Sequence, residues 1–145
     1  MITGREPNII ACMEPGVAAR QSAAQLKAEA KHAAEVERLE QKIFLKYLRS
    51  QRDARALWFI NPQSNKPSTI EPGHPDFTIW VKGKVFCIEM KASGGKLSGA
   101  QEAAISTLQA LDHEVYIAWN AGQATRIVEF YLSVLTTEKP KLQIQ

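Results

Sequence analysis

Residues 74–91 read HPDFTIWVKGKVFCIEMK, and this stretch decides most of the fold. It contains two apolar runs, Phe77–Val81 and Val85–Met90, with Lys82-Gly83-Lys84 between them. Short runs rich in β-branched and aromatic residues, separated by a few residues that include Gly, are typical of a β-hairpin. The stretch therefore predicts two adjacent antiparallel strands.

The length of the turn sets which side chains meet across this hairpin. Glu89 and Lys91 lie on one face, because side chains alternate between faces along a strand. With a two-residue loop, Lys82-Gly83, Asp76 lies directly opposite Glu89, and opposed side chains are close neighbours. A three-residue loop would instead shift the register by one residue and weaken this arrangement.

The elements on either side follow from propensity and apolar periodicity. A long N-terminal helix is predicted over Ser22–Arg52, which contains no Gly or Pro. The other predicted elements are a buried strand, a helix, a second buried strand and a segment that is either helix or strand: Ala56–Ile60, Ser98–Leu111, Val115–Trp119 and Ala124–Leu135. Apolar strands with little alternation favour an α/β fold, with a mixed sheet covered by helices on both faces. Trp58 and Trp119 are accordingly expected in the core.

Composition sets broad limits on the domain and its partners. The 145 residues suit one domain over 22–136, between a flexible arm over 1–21 and a flexible tail over 137–145. The net charge of +3 is compatible with a polyanionic partner without indicating one. Cys12 and Cys87 lack the spacing of a disulfide framework or a zinc site. The chain shows no membrane-length apolar run and no signal peptide, so a cytoplasmic, reducing location is expected.

Asp76, Glu89 and Lys91 form a combination with a specific chemistry. Two close carboxylates repel, and one becomes protonated unless a cation lies between them. A hard divalent cation such as Mg²⁺ takes carboxylate, water and phosphate oxygens as ligands. A nearby lysine can position a water molecule or stabilise developing negative charge. The trio therefore predicts a site for phosphodiester hydrolysis.

These residues also carry a resemblance to a known family. Pro75-Asp76, followed by Glu89-Met90-Lys91 in an apolar strand, resembles the signature of the PD-(D/E)XK nuclease superfamily. Gly73-His74-Pro75-Asp76, Ile88-Glu89-Met90-Lys91 and Leu97-Ser98-Gly99-Ala100-Gln101 resemble its VRR-NUC branch. The resemblance runs from about Glu37 to Tyr131 and implies a restriction-endonuclease-like αβββαβ core.

The resemblance implies a function and a metal. It implies a Mg²⁺- or Mn²⁺-dependent DNA endonuclease with Asp76, Glu89 and the Met90 carbonyl as metal ligands. Stand-alone members of this branch resemble Holliday-junction resolvases, so cleavage of branched DNA by a homodimer is expected, and the Ala-rich part of the long helix is a candidate dimer contact. RNA remains open as a substrate. The alternatives are a non-catalytic DNA-binding or assembly module on the same fold and a regulatory protein with no nucleic-acid role.

The family also carries a glutamate on its first core helix. Glu40 is the preferred candidate here, because Ile43, Phe44 and Tyr47 follow it at core spacing. Glu37 is the rival candidate, with Gln41 four residues further on. The strongest apolar face predicted for this helix has Val36, Leu39, Ile43 and Tyr47 in one row, with Phe44 and Leu48 beside it.

Three further residues near the trio have two possible roles each. Gln101 fits a helix capping box with Ser98, and it also fits a catalytic position near the metal, where it could bind water or phosphate. His74 is interpreted as a loop residue near the substrate and is left out of the catalytic set. Trp80 shares the face of the trio and is either a core residue or a platform for stacking.

Overall fold

The structure, a computed structural model, describes residues 22–62 and 69–134. The predicted arm and tail, residues 1–21 and 137–145, lie outside the described residues. Within the described part there are three helices and four strands: α1 Ala23–Asp53, β1 Trp58–Ile60, β2 Phe77–Val81, β3 Lys84–Met90, α2 Gly99–Ala110, β4 Glu114–Ala118 and α3 Ala121–Val134. The segment that begins at Ala124, for which the sequence allows either a helix or a strand, belongs to the helix α3.

The chain divides into two units, Met1–His32 and Ala33–Gln145. The described part of the first unit is the beginning of α1, where every side chain over 22–32 is exposed. A capping box starts this helix. The Ser22 backbone N–H donates to the Gln25 side chain at 2.9 Å, and the Gln25 backbone N–H donates to Ser22 Oγ at 3.2 Å.

The second unit contains one mixed sheet with the strand order β1-β2-β3-β4. β1 and β2 are antiparallel, β2 and β3 are antiparallel, and β3 and β4 are parallel. α2 connects the parallel pair, as such a crossover requires. The predicted α/β class and mixed sheet are confirmed. No helix within residues 22–62 and 69–134 has the length and apolar character needed to cross a membrane.

The hairpin of β2 and β3 has the two-residue turn. Lys82 and Gly83 both have positive φ, 45° and 83°, which matches the tight turn that twists in the same sense as its strands. Val81 pairs with Lys84, and the register continues to Phe77 opposite Ile88. One step further along this register, Asp76 falls opposite Glu89. The predicted register is therefore confirmed.

The core lies on one face of the sheet. The inward side chains of β2 and β3 are fully buried there: Phe77, Ile79, Val81, Phe86, Ile88 and Met90. α1 contributes Phe44 and Leu48, and the Phe44 and Phe77 rings meet edge to face with centroids 4.9 Å apart. α3 contributes Tyr131, which stacks on Phe86 at 4.0 Å. Burial of these large apolar side chains is what fixes both helices to the sheet.

The predicted burial of two tryptophans and of one apolar row on α1 is wrong. Trp58 is 60% exposed and Trp119 is 43% exposed, so neither is a core residue. Trp58 lies in β1, an edge strand, and Ile60 on the same face of this strand is 47% exposed. Among the described residues, the face of the sheet opposite the core is therefore only partly covered. In α1, Leu39 and Ile43 are each 59% exposed, so the buried face is not the predicted row.

Candidate active site

The site is built where β2 begins and β3 ends. The Asp76 backbone N–H donates to Glu89 Oε2 at 3.1 Å, and the Met90 backbone N–H donates to Asp76 Oδ2 at 2.9 Å. Each carboxylate is thus held by the backbone of the opposite strand. Because the backbone is rigid within the sheet, these bonds fix both side chains before any ligand binds.

Two side chains contact Glu89 at Oε1, the oxygen that does not accept the hydrogen bond from Asp76. Lys91 Nζ lies 3.6 Å from Glu89 Oε1, and this ammonium is largely shielded from solvent. Gln101 Nε2 donates to the same carboxylate oxygen. Gln101 also completes the capping box of α2 with Ser98, since Ser98 N donates to its Oε1 at 2.8 Å. The structural role predicted for Gln101 is confirmed, and its side chain also reaches the site.

The helix α1 brings Glu37 to this cluster rather than the preferred Glu40. Glu37 Oε2 accepts a hydrogen bond from the Ala92 backbone N–H at 3.3 Å, just after the end of β3. Glu40 Oε2 instead accepts from the Ala121 backbone N–H at 2.7 Å, at the start of α3. A carboxylate is favourable there because the first amides of a helix lack partners. Of the two candidates for the helix glutamate, Glu37 therefore lies at the carboxylate cluster, whereas the preferred Glu40 lies at the start of α3.

The reason is the direction of the buried helix face. Glu37, Gln41, Phe44 and Leu48 are spaced by four, three and four residues, which places them along one face. Phe44 and Leu48 are fully buried against the sheet, so Glu37 and Gln41 extend the same line to its end. Gln41 Nε2 donates to Asp76 Oδ2 at 3.3 Å. Sequence analysis missed this contact of Gln41, although the spacing of four from Glu37 indicated it.

The electrostatics of the cluster are dominated by burial and like charge. Glu89 is 1% exposed and is the one charged residue that is buried among those described. Burial and the neighbouring Asp76 raise the pKa of Glu89 to about 7, against the opposing effect of Lys91. Burial also raises the pKa of Asp76, and Glu37 adds to the rise. The ionised cluster therefore has more negative charge than Lys91 alone can balance.

This imbalance predicts an unusual pH dependence of stability in the metal-free protein. The pKa of Glu89 is about 7 in the folded chain and 4.5 ordinarily, so folding favours its protonated form. The stabilisation is complete below about pH 4.5 and is lost as the pH rises through 7, at a cost of up to roughly 3 kcal/mol. The raised pKa of Asp76 acts in the same direction.

The measurement is chemical unfolding in a chelator at pH 5 to 8. We expect the unfolding free energy to fall over this range, and we expect Glu89→Gln to flatten the slope. The slope is the diagnostic quantity, because glutamine also changes the hydrogen bonds to Asp76 and Gln101. An unchanged slope in the variant would mean that Glu89 does not titrate near neutral pH.

A cleft of about 840 Å³ opens beside these side chains. One wall is α1, with Glu37, Arg38, Gln41 and Lys42, and the other is formed by residues 70–76. The start of α2 closes one end through Ser98 and Gln101. His74 lines the cleft, and its Nε2 lies 3.3 Å from Thr78 Oγ1. His74 is thus a loop residue beside the cleft and outside the carboxylate cluster, and its nearness to a substrate stays a prediction.

The metal implied by the family resemblance can be tested against these donors. Among residues 22–62 and 69–134, no three His, Cys, Asp or Glu side chains are grouped closely enough to hold a metal ion by themselves. Mg²⁺ does not require such a group, because it is often bound by one or two carboxylates together with water and phosphate oxygens. The buried Glu89 and the half-buried Asp76 lack enough positive charge nearby to balance them, so they fit such an ion. The role of the Met90 carbonyl as a further ligand stays a prediction.

The three predicted residues Asp76, Glu89 and Lys91 are thus brought together, with Gln101 in contact and Glu40 elsewhere. Comparisons of this chain with protein-family models, with curated proteins and with solved structures find no match.

Proposed function

We propose that this chain is a divalent-metal-dependent DNA endonuclease of the VRR-NUC branch of the PD-(D/E)XK superfamily. The observation that carries the proposal is the buried Glu89 beside the half-buried Asp76, joined by backbone hydrogen bonds, with Lys91 Nζ 3.6 Å from Glu89 Oε1. The element order from α1 to β4 supports it, since α, three β, α and β is the order of the restriction-endonuclease-like core.

The chain's own residues have distinct tasks in this proposal. Asp76 and Glu89 would hold Mg²⁺ or Mn²⁺, which when bound supplies positive charge to a phosphate and makes water more acidic. Lys91 places an ammonium where it can orient the attacking water and stabilise negative charge on the phosphate oxygens. Gln101 holds Glu89 in position, and Gln41 does the same for Asp76. Water attacks phosphorus in line with the departing oxygen.

The cleft supplies a path for the DNA backbone. Arg38 and Lys42 are one helical turn apart on α1 and both line it, so their cations lie along one wall. Phosphate contacts of this kind give affinity that does not depend on base sequence. We include branched DNA as the preferred substrate and a homodimer as the working form. The dimer contact would be made by the exposed side chains over 22–32.

A non-catalytic DNA-binding module on the same fold is the alternative. Placing a buried carboxylate next to a second, half-buried one is costly for stability, and the pKa of the buried Glu89 is raised to about 7. Binding to DNA gains nothing from such a pair, because the phosphates it would face are also negative. The presence of this pair beside a largely shielded ammonium therefore favours the nuclease over the module.

The experiment is cleavage of a panel of labelled DNAs in Mg²⁺ and in Mn²⁺. The panel contains a four-way junction, a flap, a nicked duplex and a linear duplex, each run with and without a chelator. We expect cleavage that requires the metal and that is faster on branched than on linear DNA. Binding in Ca²⁺ without cleavage in Mg²⁺ or Mn²⁺ would assign the chain to the alternative.

A further inference from the structure

The partly covered face of the sheet carries exposed aromatic side chains. Trp58 in β1 pairs directly with Trp80 in β2, and Ile60 is the next residue of β1 on the same face. Their exposed fractions are 60% for Trp58, 36% for Trp80 and 47% for Ile60. We call these three residues the tryptophan patch. Large apolar side chains exposed together commonly mark a binding surface.

The tryptophan patch is close to the candidate active site. Asp76 directly precedes β2, and the alternation of side chains places it on the same side as Thr78 and Trp80, which is four residues away. Four residues of strand span about 13 Å, so the indole rings lie a short distance from the carboxylates. Thr78 pairs with Ile60 and contacts His74, which lines the cleft. The three residues of the patch do not line the cleft, so a ligand held at the carboxylates would reach the patch by passing His74 and Thr78.

The chemistry of the carboxylate site and of the neighbouring tryptophan patch indicates which ligand binds there. The site end of the surface is built for a phosphate held by a cation, and the patch offers flat indole faces without a charged side chain of its own. Nucleobases stack well on such faces, and stacking on aromatic side chains is a main source of affinity for single strands. Bases within a duplex are already stacked on each other, so the indoles select nucleotides that are unpaired.

We propose that Trp58 and Trp80 stack unpaired bases next to the cleaved phosphodiester, so that the enzyme selects DNA with a single-stranded segment at the scissile bond. This inference rests on the proposed function and gives it a substrate class. It explains selectivity for branched structures by an aromatic surface rather than by base-specific hydrogen bonds. Duplex DNA without unpaired nucleotides lacks this contribution to binding.

The test measures the affinity of a labelled oligo-dT and of a linear duplex in Ca²⁺ for the wild type, Trp58→Ala, Trp80→Ala and Trp58→Phe. Phe130→Ala is the matched control, because Phe130 is also 60% exposed and lies on α3. We expect each alanine variant to bind oligo-dT about tenfold more weakly. Trp58→Phe should retain most of the affinity, and duplex affinity should change less than twofold. Thermal melting establishes that each variant is folded, and the edge position of Trp58 keeps the test valid if Trp80→Ala unfolds.

The outcomes separate this inference from the proposed function. Loss of oligo-dT affinity in the alanine variants of a chain that cleaves nothing would support base stacking on the tryptophan patch, but it would end the nuclease proposal and with it the placement of these bases beside a scissile bond. Cleavage with unchanged oligo-dT affinity in Trp58→Ala would do the reverse. A dimer in light scattering that Trp58→Ala dissociates would assign the patch to a second copy of the chain and overturn the inference.

Discussion

Asp76→Asn is expected to lower the rate of metal-dependent DNA cleavage by about 100- to 1,000-fold or more. Asparagine can keep the bond that Met90 N–H donates to Asp76 Oδ2, so the fold should survive. The substitution removes one of the two negative charges that would hold the cation, and with it the positive charge at the phosphate. The loss should therefore appear in the catalytic rate rather than in the yield of folded protein.

The measurement is single-turnover cleavage of the best DNA of the panel in Mn²⁺. Glu102→Gln is the control, since Glu102 is an exposed carboxylate in the first turn of α2, beside Gln101. It should cleave within about twofold of the wild type, because removal of an exposed charge has little effect. Cleavage that survives Asp76→Asn would mean that another protein or another site is responsible.

Gly73→Ala should have the second largest effect, on stability and activity together. A Cβ at Gly73 would lie 2.2 Å from the Ala100 carbonyl oxygen and 2.7 Å from the Gln101 backbone nitrogen. Both contacts are with backbone that cannot rotate away, and φ at Gly73 is 85°. The loop or the start of α2 must therefore move. We expect the unfolding free energy to fall by about 2–4 kcal/mol.

Cleavage should fall with stability, because the loop leads into Asp76 and α2 carries Gln101. Gly99→Ala is the matched control, since Gly99 lies in the same turn of α2 as Ala100 and Gln101, and a Cβ at Gly99 meets nothing within 4 Å. Alanine favours a helix over glycine, so this variant should be as stable as the wild type or more stable. The measurement is the unfolding free energy of both variants and of the wild type in urea. Equal stability of Gly73→Ala and wild type would show that the loop does not pack on α2.

The hairpin could be predicted from the sequence because its information is local. Alternation of side chains and the Lys82-Gly83 turn together fix the register, and the register alone brings Asp76 to Glu89. Lys91 follows from the same alternation. These inferences need no knowledge of the rest of the chain, which is why the structure agrees with them.

The helix glutamate depends on long-range packing and could not be fixed from the sequence in the same way. Leu39 and Ile43 suggested an apolar row, yet both are exposed, and the sheet buries the face of Phe44 and Leu48 instead. Because this face packs on the sheet, Glu37 lies at the end of β3 and Glu40 lies at the start of α3. Apolar spacing gives the faces of a helix but not which of them meets the sheet.

The exposed tryptophans show a similar limit. Trp58 lies in an apolar run that is typical of a buried strand, and only the strand order places β1 at the edge of the sheet. Its side chain lies on the same face as Trp80, opposite the core face that buries Ile79, and is 60% exposed there. Arg38 and Lys42 likewise line a cleft only because residues 70–76 pass beside α1, and the sequence does not show where that loop runs.

The most direct test of the account is calorimetric titration of Mn²⁺ into the wild type and into Asp76→Asn at pH 8, where the carboxylates are ionised. We predict saturable binding by the wild type that Asp76→Asn weakens at least tenfold, with Glu102→Gln unchanged. Equal binding of Mn²⁺ by the wild type and Asp76→Asn, or no binding by either, would contradict a metal site between Asp76 and Glu89.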